Sequence, residues 1–367
     1  MTEPFRLTDL YEASPGLRRV THAYTTSGTW KGVLCRVLTV AQEVMRSVPR
    51  DCLRSVRATR GVPIRIESGV RPEPDARRIA LYVHFSATGQ ISEMVRRHLY
   101  WLGQSGFTIV FVSMAERIPE AEWQAVRQLC ALVVQRRNFG LDFGAWRDLL
   151  PEVRRRWQAP EELLLVNDSV LGPIHPIAPL IDAMRAGGDG LFGLTESLQG
   201  GPHLQSYMLL VRGQSAVHDV MHFIQTLYVS HSKWLLVQLS EIRLARWMRR
   251  RGHRVAALFG YQRLVEAVVA DAAERQHLVM TPATQRCLEL GNSDDLAAML
   301  VQWPLNPTSH LWHVLATRFG SPFIKTQLVL RNSGRLPGGA GWPDVVSPDA
   351  PCPLPILMDH LATVAKV

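Results

Sequence analysis

The stretch that decides the fold is residues 163–169, with the sequence LLLVNDS. Its apolar residues are followed at once by Asn167, Asp168 and Ser169, and then by Gly172-Pro173. A buried strand cannot hold three polar side chains in its core without partners, so we expect them at its open carboxyl end. Ligands bind at the carboxyl ends of the strands in open α/β sheets. The stretch therefore predicts a buried strand with a binding site at its tip.

Apolar strands alternate with amphipathic helices around this stretch. The patterns predict strands at residues 79–85, 108–112, 132–134, 163–166 and the second half of 203–211, and helices near 91–102, 120–129, 177–185 and 216–228. Another helix, rich in arginine, begins near Glu241 and stops near Gly252. Such alternation is typical of a parallel sheet with right-handed crossovers. The sequence predicts an α/β fold, a Rossmann-like and mostly parallel sheet flanked by helices, with helical N-terminal and C-terminal additions.

Shifts in composition divide the chain into four segments. Residues 1–77 are expected to form a helical extension, with a helix around residues 30–48, and a linker from residue 61. Residues 78–262 contain the α/β domain, and residues 263–333 are its helical C-terminal part. Residues 334–367 are rich in Pro and Gly, which predicts a loose tail with a short helix near residues 356–364.

Charge and composition limit the class of protein. The chain has 367 residues, 47% of them hydrophobic, and its 41 Lys and Arg against 32 Asp and Glu give a net charge of +9. That balance favours anionic partners such as nucleotide phosphates, nucleic acid or an acidic membrane face. Five scattered cysteines argue against a disulfide framework or a zinc site. With no apolar run of roughly 18 residues and no signal peptide, we expect a cytoplasmic protein.

Several motifs, in order, carry a family resemblance. They are residues 137–145 (RNFGLDFGA), 166–173 (VNDSVLGP), 203–207 (HLQSY), 305–308 (LNPT) with Trp312, and 321–325 (SPFIK). With Glu241 and the helix that follows it, they resemble the nucleotide-sugar glycosyltransferases of the GT-A fold. More narrowly, the chain is similar to the rhamnan synthesis protein F family of bacterial polysaccharide assembly over roughly residues 79–333.

The resemblance implies a GT-A-like catalytic domain and a reaction. It implies an inverting glycosyltransferase, a hexosyltransferase of the EC 2.4 class, and more narrowly a rhamnosyltransferase with a dTDP-rhamnose donor. The acceptor would be a growing bacterial surface polysaccharide or lipopolysaccharide, or a lipid-linked oligosaccharide. An enzyme with such an acceptor could work at the inner face of the plasma membrane.

Sugar transfer from a nucleoside diphosphate needs positive charge on the leaving phosphates. Asp168 could be one oxygen ligand of Mg²⁺ or Mn²⁺ at the strand tip. The sequence departs from the family's usual pattern, because Asn167 and Ser169 stand where two acids are common, so Arg137 or Arg147 could share the task. The alternative is that Asp168 only caps the turn at Gly172-Pro173.

A second group of residues is expected around the nucleotide. The candidates for donor binding are Arg137, Asn138, Gly140, Asp142, Asn167, Asp168, Ser169, His84 and His203. Gly140 would allow close backbone approach, and Asn and Asp side chains can bond base or ribose edges. The alternative is an ordinary strand-to-helix loop in which Asp142 is the N-cap. Trp146 is expected in the core, and Lys325 could meet a phosphate or lie on the surface.

Transfer also needs a carboxylate that takes the proton of the acceptor hydroxyl. Glu241 is our choice for this general base, and Glu196, in a segment read as a loop facing the cleft, is the competitor. The alternative for Glu241 is a solvated acid at a helix end, paired with a nearby arginine.

Two other functional readings remain. One is a non-catalytic glycan-binding or nucleotide-sugar-binding subunit of a polysaccharide assembly complex, which keeps the fold without the full acidic triplet. The other is a nucleic-acid binder, which is disfavoured because the arginines are not interleaved with aromatic residues. The basic run 246–254, with Trp247 among its arginines, could instead rest on anionic lipid.

Overall fold

The chain forms one large mixed sheet with helices on both faces. The fold was analysed in a computed structural model that describes residues 5–11, 30–59, 63–71, 73, 76–278, 293–331 and 339–365.

The strands alternate with helices as the apolar patterns predict. The strands are β1 (Thr8–Asp9), β2 (Arg65–Ser68), β3 (Arg78–His84), β4 (Thr108–Ser113), β5 (Leu132–Gln135), β6 (Glu162–Asn167), β7 (Val170–Leu171), β8 (Gly190–Ser197), β9 (His203–Leu204), β10 (Met208–Arg212), β11 (Arg254–Phe259) and β12 (Ile324–Lys325). The main sheet has the order β1-β11-β8-β10-β6-β3-β4-β5-β2, with β9 beside β8.

The central strands run parallel. β5, β4, β3 and β6 pair in parallel, and β8 and β11 run in the same direction, while β10 lies antiparallel between β6 and β8. The edge strands β1 and β2 are also antiparallel to their neighbours. The predicted α/β class with a mostly parallel sheet is confirmed.

Helices cover the sheet between and after these strands. They are α1 (Trp30–Thr59), α2 (Glu93–Gln104), α3 (Glu120–Arg127), α4 (Leu141–Arg156), α5 (Ala178–Arg185), α6 (Gln214–Gln225), α7 (Lys233–Leu239), α8 (Glu241–Arg250), α9 (Tyr261–Ala270), α10 (Ala272–Arg275), α11 (Ser293–Gln302), α12 (Pro307–His310), α13 (Trp312–Thr317), α14 (Thr326–Arg331) and α15 (Leu354–Val364), with a 3₁₀ turn at Gly339–Val345.

The two faces of the sheet have separate cores because alternate strand residues point to opposite sides. One core packs α2, α3, α5 and α9 against Tyr82, Phe111 and Val166. The other packs α4, α6 and α8 against Leu81, Val110 and Leu165. A strand that is buried on both faces must be apolar along its middle, as β3, β4 and β6 are between their polar end residues.

Several expectations for the ends of the chain were wrong. Within the helical extension, residues 8–9 form β1 and join the sheet beside β11. The segment expected as a linker contains β2, which pairs with β5. Helix α1 runs to Thr59, further than predicted.

The C-terminal tail is packed rather than loose over residues 339–365. Cys352 and Leu357 are fully buried, and α15 lies against α2. Its His360 hydrogen-bonds Ser92 Oγ through Nδ1 at 2.7 Å. The short helix expected near residues 356–364 is present as α15. The four domain boundaries stay a prediction.

A small two-stranded ladder ties the C-terminal part to the strand tip. β12 pairs antiparallel with β7, so Lys325 lies opposite Val170, and Thr326 donates its N–H to the carbonyl of Ser169 at 3.2 Å. The ladder therefore brings residues far along the chain next to the end of β6.

Gly140 is needed for packing at the start of α4. Its φ is +77°, and a Cβ there would lie 1.6 Å from Cγ1 of Val229. We expect Gly140→Ala to lower the free energy of unfolding by about 2 kcal/mol or more. The strain of a left-handed backbone and the overpacking against Val229 both destabilise the folded state. Chemical denaturation measures this loss.

Gly188 provides a matched control. Its φ is +81°, but nothing lies within 4 Å of a Cβ at that position. Gly188→Ala should therefore lower the free energy of unfolding by only about 1 kcal/mol, because it introduces backbone strain without overpacking. Equal losses in the two variants would contradict the packing role of Gly140.

Candidate functional site

The carboxyl ends of β3 and β6 open into a cavity of about 480 Å³, which we call the strand-tip cavity. It is lined by residues 85–87 after β3, residues 167–169 at the tip of β6, and residues 205–207 before β10. The first turn of α4 and the helices α14 and α15 complete the wall. The three polar residues that end β6 thus lie at the sheet edge where ligands bind in open α/β sheets.

Asn167 organises the strand tip through its side-chain amide. Nδ2 donates to Oδ2 of Asp142 at 2.7 Å, and Oδ1 accepts from Ser169, from its N at 3.1 Å and its Oγ at 2.6 Å. Both ends of the amide are therefore used inside the protein. Asn167 connects the first turn of α4 to the end of β6 and is a positioning residue here.

Asp168 is anchored to the neighbouring strand. Its Oδ2 accepts the backbone N–H of Phe85 at 2.7 Å, so it does not cap the turn at Gly172-Pro173. Burial raises the pKa of Asp168 to about 7, and the nearby charge of Asp142 acts in the same direction. The cavity therefore holds a carboxyl group that is poorly neutralised by its protein surroundings.

Asp142 supplies a second carboxylate beside the first. Its side chain bonds Asn167, and residue 140 is the N-cap of α4, so the N-cap reading of Asp142 is wrong. Burial raises its pKa to about 6, and the charge of Glu241 adds to the rise.

Glu241 is the first residue of α8. It accepts a hydrogen bond from Ser206 Oγ through Oε1, and it lines the strand-tip cavity. A helix N-terminus stabilises a carboxylate, and the hydroxyl of Ser206 fixes its direction. Glu241 therefore faces the same cavity as Asp168, although 73 residues of chain separate them.

A second cavity of about 430 Å³, the α7–α8 cavity, adjoins the first. Gln205, Lys233, Glu241, Lys325 and Gln327 line both cavities. The second has polar walls that include Gln199, His203, Trp234, Gln238, Asn306 and Ser309. Glu241 consequently lies where two polar hollows meet.

Two lysines provide the positive charge at this junction. Lys233 begins α7 after the N-cap Ser232, and Lys325 arrives on β12. Burial lowers the pKa of Lys325, whereas the charges of Glu241 and Asp142 oppose the change. These lysines, rather than the predicted Arg137 and Arg147, are the cations at this junction.

His203 lines the α7–α8 cavity as a neutral imidazole. Its Nδ1 lies 2.7 Å from the carbonyl oxygen of Gly201, and since a carbonyl can only accept, Nδ1 carries the proton. Burial lowers the pKa of His203. Its Nε2 is therefore a hydrogen-bond acceptor, which can pair with a hydroxyl group of a ligand but not with an unprotonated phosphate oxygen.

Two predicted site residues lie elsewhere. Glu196 is in strand β8, not in a loop, and its carboxylate accepts the N–H groups of Tyr11 and Tyr261. The structure does not place it at either cavity. His84 is buried against Phe111 with Nδ1 3.0 Å from Ser113 Oγ, and burial lowers its pKa to about 3. Both side chains hold the fold together.

The loop before α4 also departs from expectation. Arg137 and Asn138 are exposed and lie outside both cavities, and Gly140 accommodates Val229 rather than a nucleotide. Arg147 bonds Asp148 and lines a larger cavity of about 730 Å³ beside β2 and α4, which holds none of the acids predicted for the site. Trp146 is fully buried, as predicted.

Three site residues had only weak signals in the sequence. Ser206 stands inside the quoted motif 203–207, but its partner lies 35 residues away. Lys233 follows a Ser with the spacing of an N-cap. For Lys325 the sequence leaves a phosphate contact and a surface position open, and only the β7–β12 pairing shows that it reaches the cavity.

The carboxylates at the strand tip could supply some of the ligands of a divalent metal, but not all of them. In the described part of the chain, no group of three or more His, Cys, Asp or Glu side chains is arranged to hold an ion. Asp168 and Asp142 are two carboxylates on one cavity, which matches the one or two that proteins give a Mg²⁺ ion bound to substrate phosphates. The residues fit a metal that shares its ligands with a diphosphate, not a site built by protein alone.

Comparison with known families confirms the predicted resemblance. Residues 109–272 match the family model of rhamnan synthesis protein F. This range contains Asp142, Asp168, Ser206, Lys233 and Glu241 and ends before Lys325.

Curated relatives match over part of their length. The chain is 24% identical over 201 residues to the uncharacterized protein y4gN of Sinorhizobium fredii, covering 53% of this chain and 52% of that protein. It is 26% identical over 208 residues to the virulence protein VirA of Vibrio anguillarum, covering 55% and 64%. The chain thus spans less than two thirds of the length of these relatives.

A search of solved structures found the mannosyltransferase PcManGT from Pyrobaculum calidifontis, in complex with GDP-Man and Mn²⁺. The superposition has a TM-score of 0.34 at 11% identity and covers 90% of this chain and 92% of that chain. A TM-score this low transfers no detail of the donor or metal site.

The raised pKa of Asp142 predicts how stability depends on pH. The folded state favours the neutral acid, so the cost of burying the charge is present in full above about pH 6 and disappears below the ordinary value of 3.8. Asn at this position stays neutral and can still accept the Asn167 hydrogen bond. We expect Asp142→Asn to raise the melting temperature at pH 8 by about 2 °C or more.

The gain in melting temperature of Asp142→Asn should shrink as the pH falls from 6 towards 4, as measured by calorimetry. Asp182→Asn is the control, since its side chain on α5 is 72% exposed. A gain that is the same at pH 8 and pH 4.5, or that Asp182→Asn reproduces, would contradict a buried charge at Asp142.

Proposed function

We propose that this protein is an inverting glycosyltransferase that transfers a sugar from a nucleoside-diphosphate donor to a glycan acceptor in bacterial surface polysaccharide assembly. The observation that carries the proposal is the position of Glu241, which lies where the strand-tip cavity and the α7–α8 cavity join. The match of residues 109–272 to a family named for rhamnan synthesis supports the substrate class.

The strand-tip cavity would take the donor. It combines the acids Asp142 and Asp168 with the cations Lys233 and Lys325, and its volume of about 480 Å³ suits a ligand of nucleotide-sugar size. The lysines can stabilise the charge that develops on the leaving diphosphate. Asp168 and Asp142 would hold a Mg²⁺ or Mn²⁺ ion, which would supply further charge neutralisation when bound.

The α7–α8 cavity would take the acceptor. Its amides and hydroxyls, from residues such as Gln199, Gln238 and Asn306, match the hydroxyl groups of a sugar. Trp234 can stack on a sugar ring, and the unprotonated Nε2 of His203 can accept a hydroxyl proton in a hydrogen bond.

Glu241 would act as the general base between the two. It takes the proton of the acceptor hydroxyl while the acceptor oxygen bonds to the anomeric carbon of the donor sugar. The bond from that carbon to the diphosphate oxygen breaks with its electron pair leaving on the phosphate. Attack from the face opposite the leaving group inverts the configuration, and Ser206 holds the carboxylate in place.

The family name makes dTDP-rhamnose our first choice of donor. We extend the proposal to a rhamnosyltransferase that works in the cytoplasm, at the inner face of the plasma membrane, on a polysaccharide, lipopolysaccharide or lipid-linked acceptor. None of the described helices is long and apolar enough to cross a bilayer.

One observation favours a second function. The strand-tip triplet has a single carboxylate, Asp168, and the side-chain amide of Asn167 is bonded inside the protein. A binding subunit without catalysis would retain the donor cavity with such a reduced set of acids. Transfer assays with a panel of nucleotide sugars, with loss of donor and formation of glycan both followed, separate the two functions.

Removal of the proposed base should stop transfer and spare donor binding. We expect Glu241→Gln to lower kcat by about 10²-fold to 10⁴-fold, the usual contribution of general base catalysis. The Kd for the donor should change little, because the donor lies against the acids and lysines of the strand tip. Product formation and calorimetric binding measure the two effects.

Glu266→Gln, an exposed glutamate on α9, is the matched control and should leave kcat unchanged. Full turnover in Glu241→Gln would refute the assignment of the base. If the wild type makes no glycan from any sugar of the panel but binds a donor, the binding subunit is the correct function.

Metal and lysine should each contribute to donor binding. We expect the dTDP-sugar to bind about tenfold or more tightly with Mn²⁺ than with EDTA, since charge-assisted contacts carry that much affinity. Asp168→Asn should remove this difference, and Lys325→Met should weaken donor binding in both conditions. A donor affinity that is the same with Mn²⁺ and EDTA would refute the metal role.

A further inference from the structure

Helix α1 is attached to the rest of the protein by its polar side. Asp51 accepts the backbone N–H of His231 at 3.0 Å and the hydroxyl of Tyr228 at 3.3 Å. Glu43 accepts the hydroxyls of Ser47, at 3.2 Å, and of Ser232. Glu43, Ser47 and Asp51 follow one another at intervals of four residues, so they form one face of the helix.

The opposite face of α1 carries exposed apolar side chains. Leu34 is 50% exposed, Leu38 54%, Met45 67% and Leu53 67%. With Ala41 and Cys52, also exposed, they form a stripe along the helix. A surface helix of a water-soluble protein normally buries its apolar side and exposes its polar side. Here the arrangement is reversed, and an exposed apolar stripe of this kind is typical of a surface that binds another protein or a membrane.

The charges beside the stripe indicate what covers it. Arg46 and Arg50 are exposed along one side of it, whereas Glu43 and Asp51 are turned towards the body of the protein. Over residues 38–53 the outward side is therefore apolar with a positive edge, and the chain as a whole has a net charge of +9. Apolar side chains beside arginines are a pattern that binds anionic lipid headgroups and the acyl chains beneath them.

We propose that α1 docks the protein on an anionic membrane surface, with the stripe of Leu34, Leu38, Met45 and Leu53 inserted between the lipids. This assigns membrane contact to α1 rather than to the basic run 246–254. In that run Trp247 is half-buried against Phe223, and Arg251 lies over its ring and bonds Asp219, so the tryptophan does not project outward.

The docked helix lies next to the site. Ser232, which bonds Glu43, is the N-cap of α7, and the next residue, Lys233, lines both cavities. The membrane surface would therefore run close to the cavities. Membrane docking itself does not depend on the proposed sugar transfer, and it is measured without any donor or acceptor.

Sedimentation with lipid vesicles tests the proposal on the full chain. The protein should pellet with vesicles of phosphatidylcholine and phosphatidylglycerol, much less with phosphatidylcholine alone, and less at high salt. Leu38→Glu with Met45→Glu should abolish pelleting. The control is Val70→Glu, which changes an apolar side chain that is 56% exposed elsewhere on the surface and should pellet like the wild type.

A second pair of variants tests the charges. Arg46→Ala with Arg50→Ala should weaken vesicle binding about 25-fold, since each basic residue near an anionic surface contributes about a fivefold factor. Arg249→Ala with Arg250→Ala, on α8, should bind as the wild type does. If the α8 pair weakens binding and the α1 pair does not, the membrane surface is α8 and the proposal is refuted.

A second copy of the chain is the competing occupant of the stripe. In that case the wild type would be a dimer in sedimentation equilibrium without vesicles, Leu38→Glu with Met45→Glu would be a monomer, and neither would pellet with vesicles. This result would also refute membrane docking. Circular dichroism and melting temperature of each variant show that the fold is intact before binding is compared.

Discussion

The side-chain amide of Asn167 is the contact on which the site depends. It holds Asp142 on one side and Ser169 on the other, and so fixes the first turn of α4 against the end of β6. Asp168, between the two, is then held to β3 through the N–H of Phe85 and lines the cavity. An acid at position 167 could not donate a hydrogen bond to Asp142 when ionised, and it would add a third negative charge to a buried cluster.

The junction at Glu241 separates two kinds of surface. Lys233 and Lys325 line both cavities, but the strand-tip cavity adds two acids, and the α7–α8 cavity adds amides, a tryptophan and a histidine, which suit hydroxyl groups. The break between α7 and α8 makes this separation possible, because Ser240 ends one helix and allows Glu241 to begin the next. At the start of α8 the carboxylate of Glu241 is oriented by a single hydroxyl group, that of Ser206.

The fold could be predicted because its central strands are apolar on both faces and alternate with amphipathic helices. The acids of the site could be predicted because polar residues end a buried strand or begin a helix, as Asp168 and Glu241 do. Glu196 could not be placed correctly, because its segment continues as strand β8 and its side chain points to backbone amides. The position of Lys325 at the cavity depends on the pairing of two strands more than 150 residues apart, which local sequence patterns do not encode. The edge strands β1 and β2 are too short to produce a pattern.

The pairing of β7 with β12 determines when the cavity is completed during synthesis of the chain. Because Lys325 enters the cavity only when β12 has paired beside Ser169, a nascent chain on the ribosome can complete its sheet well before it can complete its site. A fragment that stops after β11 would contain Asp142, Asp168 and Glu241 but lack Lys325 and Arg331, which also line the cavity. Such a fragment would hold three acidic side chains without these two cations, so the cavity acquires its balance of charges only after residues 324–331 have been synthesised.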